Sequence, residues 1–202
     1  MVKVDLPKQL PSRLTTLQKA CTEQQFATNP AACSAASRVG AAKAITPLVP
    51  VPLEGPAYFV SHGGAKFPEL IVVLQGYGVT IQLHGETFIN NAGITSSTFH
   101  AIPDAPVGSF ELTLPEGPDS ALAANGNLCS TGRTVLVKRK VKVRSKGRTR
   151  TVTRTVRKTI AGMVMPTAFT AQNGAVIHQN TPIEVAGCVR HKATASRHKH
   201  KK

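Results

Sequence analysis

From Val39 onward the chain runs in short alternations of apolar and polar residues, cut repeatedly by Gly, Pro or Asn. Such runs read as strands separated by turns. The clearest is Phe110-Glu-Leu-Thr-Leu114: Phe110, Leu112 and Leu114 share one face and Glu111 and Thr113 the other, the pattern of a half-buried antiparallel strand. By the same reasoning strands are expected at Val39–Ile45, Ala57–Val60, Leu70–Gln75, Val79–Leu83, Thr87–Asn90, Thr95–His100, Ala168–Thr170, Val176–Gln179 and Ile183–Ala186. A short one is expected at Val2–Leu6. Strands at intervals of about 8 to 12 residues, with no helices between them, argue for an antiparallel sandwich rather than a parallel α/β sheet.

Helical periodicity is confined to the N-terminal region. Ser12 is the expected cap of a helix containing Leu14, Leu17 and Ala20. A second short helix is expected from Thr22 to about Thr28, with Gln25 placed as in a capping box, and Asn29-Pro30 ends it.

Residues 133–160 have a different character. Val135, Val137, Val141 and Val143 are set against Lys138, Arg139, Lys140 and Lys142, and after Ser145-Lys146-Gly147-Arg148 a run of Thr, Arg and Val returns to Ile160. Two β-rich runs joined by a short Gly-containing loop predict a hairpin. Its charge density resists burial, so it should project, with one face cationic and the other mainly Val and Thr.

The formal charge of +15 is concentrated rather than spread. All ten acids lie outside Arg133–Lys158 and Arg190–Lys202, so the rest of the chain is mildly acidic and the basic surplus belongs to two appendages. Lys138, Arg139, Lys140, Lys142, Arg144, Lys146, Arg148, Arg150, Arg154, Arg157 and Lys158 form the candidate polyanion-binding set. Nucleic acid is one possible partner class. The hairpin offers no aromatic side chain to stack a base and no known nucleic-acid motif, which favours an anionic wall or membrane-surface polymer, or neighbouring domains of a larger surface protein. The tail from Arg190 has no apolar periodicity and is expected to be disordered.

Cys21, Cys33, Cys129 and Cys188 include no Cys-x-x-Cys pair, so zinc-ribbon and thioredoxin-like readings are unsupported. An even count in loop-like positions suits an exported, disulfide-bonded domain, with buried free thiols as the alternative. Of the pairings open to four cysteines, Cys21–Cys33 with Cys129–Cys188 is favoured: it staples the helical segment on itself and ties two sheet regions across the charged insertion. No apolar run is long enough to span a membrane, and Met1-Val-Lys-Val-Asp-Leu-Pro has no apolar leader-like stretch, so the chain reads either as cytoplasmic or as a fragment of a longer protein.

Several segments carry a resemblance. Leu6-Pro-Lys-Gln-Leu-Pro-Ser-Arg-Leu-Thr-Thr-Leu-Gln-Lys-Ala-Cys21, Gly55-Pro-Ala-Tyr-Phe-Val-Ser-His-Gly-Gly64, Gly93-Ile-Thr-Ser-Ser-Thr-Phe99, Phe110-Glu-Leu-Thr-Leu-Pro-Glu-Gly-Pro118 and Met165-Pro-Thr-Ala-Phe-Thr-Ala-Gln-Asn-Gly174 resemble recurrent segments of large exported or cell-surface proteins of actinobacteria. The resemblance covers about residues 2–188 and implies a β-rich domain with no activity to carry over. In such proteins the Lys-Val-Asp-Leu-Pro stretch looks internal, which implies a fragment or a shortened relative, and the basic hairpin looks like a variable insertion.

Catalytic chemistry finds little foothold. Ser61-His62-Gly63-Gly64 is similar to the His-Gly-Gly loop of esterases, but a Gly-x-Ser-x-Gly nucleophile elbow is absent and the segment reads as a glycine turn. His84, His100 and His178 look isolated on separate strands, and no two carboxylates are placed as an acid/base pair. His191, His198 and His200 read as part of a solvated polycation, with weak metal binding as the rival. The chain is thus expected to be a mainly β, antiparallel β-sandwich-like domain over 1–189. It should carry a short N-terminal helical segment at 12–28, a projecting basic β-hairpin at 133–160 and a disordered tail at 190–202. The expected role is a non-enzymatic structural or interaction module of the cell envelope, without a cofactor; the alternative is a basic protein binding phosphate backbone.

Overall fold

The computed structural model describes residues 1–132, 134–145 and 148–188. Its elements are β1 (Val2–Asp5), α1 (Leu14–Leu17), β2 (Cys21–Thr22), α2 (Glu23–Thr28), β3 (Arg38–Ile45), β4 (Leu53–Ser61) and β5 (Glu69–Gly76). There follow β6 (Val79–Ile89), β7 (Thr95–Phe99), β8 (Ser109–Thr113), β9 (Thr134–Ser145), β10 (Arg148–Thr159), β11 (Met163–Thr170) and β12 (Val176–Ile183). The fold is mainly β, antiparallel and sandwich-like: one curled sheet runs β12-β11-β1-β7-β6-β5-β4-β3-β8. Among the described residues only the two-residue β2 pairs in parallel, with the end of β4. Because β1 lies between β7 and β11, the start of the described chain and its last two sheet strands are held in one ladder.

The inner face of the sheet holds the main core. Ala57 and Phe59 of β4, Leu70, Val72 and Leu74 of β5, and Ala42 and Ala44 of β3 are buried there, with Leu17 of α1 and Ala121 packed against them. The dense apolar run in β5 follows from its position: it is covered on both faces. On the outer face Tyr58, Val60, Ile71 and Val73 pack against Phe26 of α2, and Cys21 and Cys33 complete that cluster. The Phe26 and Tyr58 rings meet edge to face, 5.7 Å between centroids at 70°.

Two expectations change in the sheet. Val79–Leu83 and Thr87–Asn90 are one strand, β6, because Gly85 continues the ladder between Leu70 and Phe99 instead of turning the chain. Val176–Gln179 likewise runs on to Ile183 as β12, and no separate strand forms at Ile183–Ala186. In the helical segment Ser12 does not cap α1. Arg13 occupies that position, while Ser12 is buried, bridges Leu122 and donates its backbone N–H to Thr95 Oγ1 at 3.1 Å. The helix ends at Leu17 and excludes Ala20. Thr22 does cap α2, its side chain accepting from the Gln25 N–H.

Cysteine pairing is the favoured one: Cys21 with Cys33 and Cys129 with Cys188 lie at disulfide-bonding distance, with Cα–Cα separations of 5.5 Å in both cases. The second pair encloses the hairpin, β11 and β12, and Cys129 sits on a short 3-10 turn whose first N–H groups include Cys129 N, held by Asn127 Oδ1 at 3.0 Å. On loop-closure entropy the two links constrain the unfolded chain by about 3 and about 4 kcal/mol.

Candidate functional site

The hairpin is a two-stranded ribbon in which β9 and β10 pair with each other and with no other strand of the described residues. Gly132 and Ile160 close its base, with the Gly132 N–H donating to the Ile160 carbonyl at 3.0 Å, and the Thr134 and Thr159 hydroxyls lie 2.9 Å apart above it. Register decides what each face presents, since directly opposed residues of an antiparallel pair point the same way. Lys138, Lys140, Lys142 and Arg144 stand opposite Thr155, Thr153, Thr151 and Thr149. Leu136 stands opposite Arg157 on that same face. On the other face Val137 opposes Val156, Val141 opposes Val152, Val143 opposes Arg150, and Arg139 opposes Arg154; Lys158 falls on this face too.

This corrects the sequence reading in two respects. The threonines share the lysine face, and Arg139 belongs with the valines. Three successive cations, Lys138-Arg139-Lys140, necessarily alternate in direction along a strand. The valines shelter one another, with Val137, Val141, Val143 and Val156 half-buried, while Lys138, Arg139, Lys140, Lys142, Arg144, Arg150, Arg154, Arg157 and Lys158 are all exposed. Lys146 and the side chain of Arg148, together with Arg133 and the tail segment 190–202, lie outside the described residues.

Among the described residues, no acid neutralises the charge on the hairpin. Among the described residues Lys3, Lys19 and Lys43 of the body contact Asp5, Asp119 and Glu54 at 3.6, 2.7 and 2.8 Å, but no hairpin cation lies within ion-pair distance of an acid.

The histidines are less isolated than the sequence implies. Glu69, at the start of β5, places Oε2 3.1 Å from His62 Nε2 and 3.2 Å from His84 Nδ1, and Glu23 at the start of α2 comes within 3.2 Å of His62 Nδ1. His100 Nε2 lies 3.3 Å from Glu86. His62 Nε2 is buried, and its approach to Glu69 is too far off line to be a hydrogen bond. Cross-strand neighbours on the outer face bring these groups together, a relation that only the β4–β5–β6 register reveals. The ring nitrogens of His62 therefore face carboxylates, and the turn after it closes by an Ala65 N–H to His62 carbonyl bond of 3.1 Å. Among the described residues no three His, Cys, Asp or Glu side chains converge to hold a metal ion.

Two shallow grooves open on the body. One, of about 350 Å³, lies beside Asp5, whose carboxylate accepts from the Ser96 hydroxyl at 2.6 Å. The other, of about 410 Å³, is lined by Arg38, Lys43, Glu54 and Glu111; the Glu54 hydrogen bond holds the Lys43 ammonium above its usual range. Among the described residues no helix is long and apolar enough to cross a membrane. No protein-family model, curated protein or solved structure matches the chain.

Proposed function

We propose that the chain is a non-catalytic interaction module of an exported or cell-envelope protein, in which the basic hairpin, with the tail, contacts an anionic surface polymer. One observation carries this reading: the exposed hairpin cations have no ion-pair partner among the described residues, whereas Lys3, Lys19 and Lys43 of the body each have one. Unneutralised cations on an extended ribbon gain by displacing the counterions of a polyanion. The two cysteine pairs support an oxidising compartment, and the resemblance of the body to exported actinobacterial proteins supports the same placement.

Deleting 133–160 and rejoining the ends tests the reading, because Gly132 and Ala161 already meet at the hairpin base, the Gly132 N–H lying 3.3 Å from the Ala161 carbonyl oxygen. The deleted protein should keep both cysteine pairs and its β signature while losing most of its retention on an anionic polymer such as poly(glycerol phosphate). Undiminished retention would contradict it. Retention of the full chain on single-stranded DNA in preference to that polymer would favour the nucleic-acid reading.

A further inference from the structure

The register of β9 and β10 builds a repeat that the sequence alone conceals. Four successive cross-strand pairs on one face are Lys138–Thr155, Lys140–Thr153, Lys142–Thr151 and Arg144–Thr149. Each sets a cation beside a hydroxyl, with Cβ atoms about 4.5–5.5 Å apart. Successive pairs follow at two-residue intervals, about 6.8 Å along the strand. The opposite face has no such order: its cations are interrupted by Val137, Val141 and Val143.

We infer that this face is a binding track for a linear, base-free polyol phosphate, which lies along the strands with one phosphodiester at each cation–threonine pair. The inference rests on the polyanion reading above and deepens it. Two residues of extended peptide and one glycerol phosphate unit repeat over the same number of main-chain bonds, so the two chains stay in step when both are extended. At each step the ammonium or guanidinium supplies a charge-assisted hydrogen bond to a phosphate oxygen. The adjacent threonine hydroxyl donates to a second phosphate oxygen or accepts from a hydroxyl of the polymer. A nucleic-acid strand has a similar backbone repeat, but its bases would find no aromatic ring between Thr134 and Thr159 on which to stack.

The test uses the full chain with its tail intact and compares variants matched in charge. The first carries Lys138→Gln, Lys140→Gln, Lys142→Gln and Arg144→Gln; the second carries Arg139→Gln, Arg150→Gln, Arg154→Gln and Lys158→Gln, which remove the same charge from the valine face. A third, with Thr149, Thr151, Thr153 and Thr155 changed to Val, keeps every charge and the branched shape that strands favour. Binding to poly(glycerol phosphate) is measured by titration across salt concentrations, with amide exchange of β9 and β10 confirming that each hairpin is formed.

The first variant should bind roughly 10-fold or more weaker than the second. The third should lose affinity several-fold with an unchanged salt slope. Equal losses from the first and second variants would overturn the track while leaving general polyanion binding intact. No loss from either would overturn both. Single-stranded DNA binding as tightly as the polyol phosphate would overturn the choice of a base-free polymer.

Discussion

Arg139 and Arg154 stand directly opposite each other on β9 and β10, with the Val137–Val156 pair on one side and Val141–Val152 on the other. Like charges placed face to face across a ladder destabilise it, here between two pairs of valines. Replacing Arg154 with Glu converts repulsion to attraction and should stabilise the ribbon by about 0.2–1 kcal/mol. Amide exchange in β9 and β10 should slow. Faster exchange would mean that the pair does not face as the register indicates.

In the body, the Phe99 ring occupies the space that a side chain at Gly85 would need. A Cβ at Gly85 would meet the Phe99 ring at 2.7 Å and the Leu70 carbonyl oxygen at 3.2 Å. Gly85→Ala should therefore cost about 1–3 kcal/mol, read as a lower urea midpoint. Gly85→Ala should cost less in a Phe99→Ala background than in the parent, since the ring is the closest obstacle.

That glycine also shows where sequence reading stopped. Gly85 was legible as a strand boundary because glycine so often turns the chain, yet a ring from the next strand covers it and the ladder runs through. Strand existence was legible elsewhere because Gly, Pro and Asn mark the ends of β3, β4, β5, β7 and β8. The cap of α2 was legible because Thr22 and Gln25 are local, whereas the role of Ser12 depends on Thr95 and Leu122, far along the chain. For the candidate site the same division holds. Cationic composition was plain, but which face the threonines occupy depends on a register fixed across the hairpin. The meeting of Glu69 with His62 and His84 depends on three strands.

Glu69 should matter more than Glu86. Its side chain is 23% exposed and approaches two histidines, while Glu86 is 66% exposed and approaches one. Glu69→Gln is expected to lower stability by about 1–2 kcal/mol at neutral pH, and Glu86→Gln by less than about 0.5 kcal/mol. Urea denaturation of the two single variants distinguishes them. Equal effects would show that the shared carboxylate adds nothing.

The link between Cys129 and Cys188 encloses 59 residues of sequence separation, including the whole hairpin. Changing both to Ala should lower stability by about 2–4 kcal/mol, read as a fall in the midpoint of thermal unfolding. Peptide mapping without reductant should recover Cys129 joined to Cys188 and Cys21 joined to Cys33. Free thiols at these positions in native material would contradict both the pairing and an oxidising compartment.

The segregation of charge makes its most direct prediction through salt. Affinity of the full chain for poly(glycerol phosphate) should fall linearly on a log–log plot of binding constant against salt concentration, with a slope that becomes markedly shallower when 133–160 is removed. A slope that is the same with and without the hairpin would contradict the account.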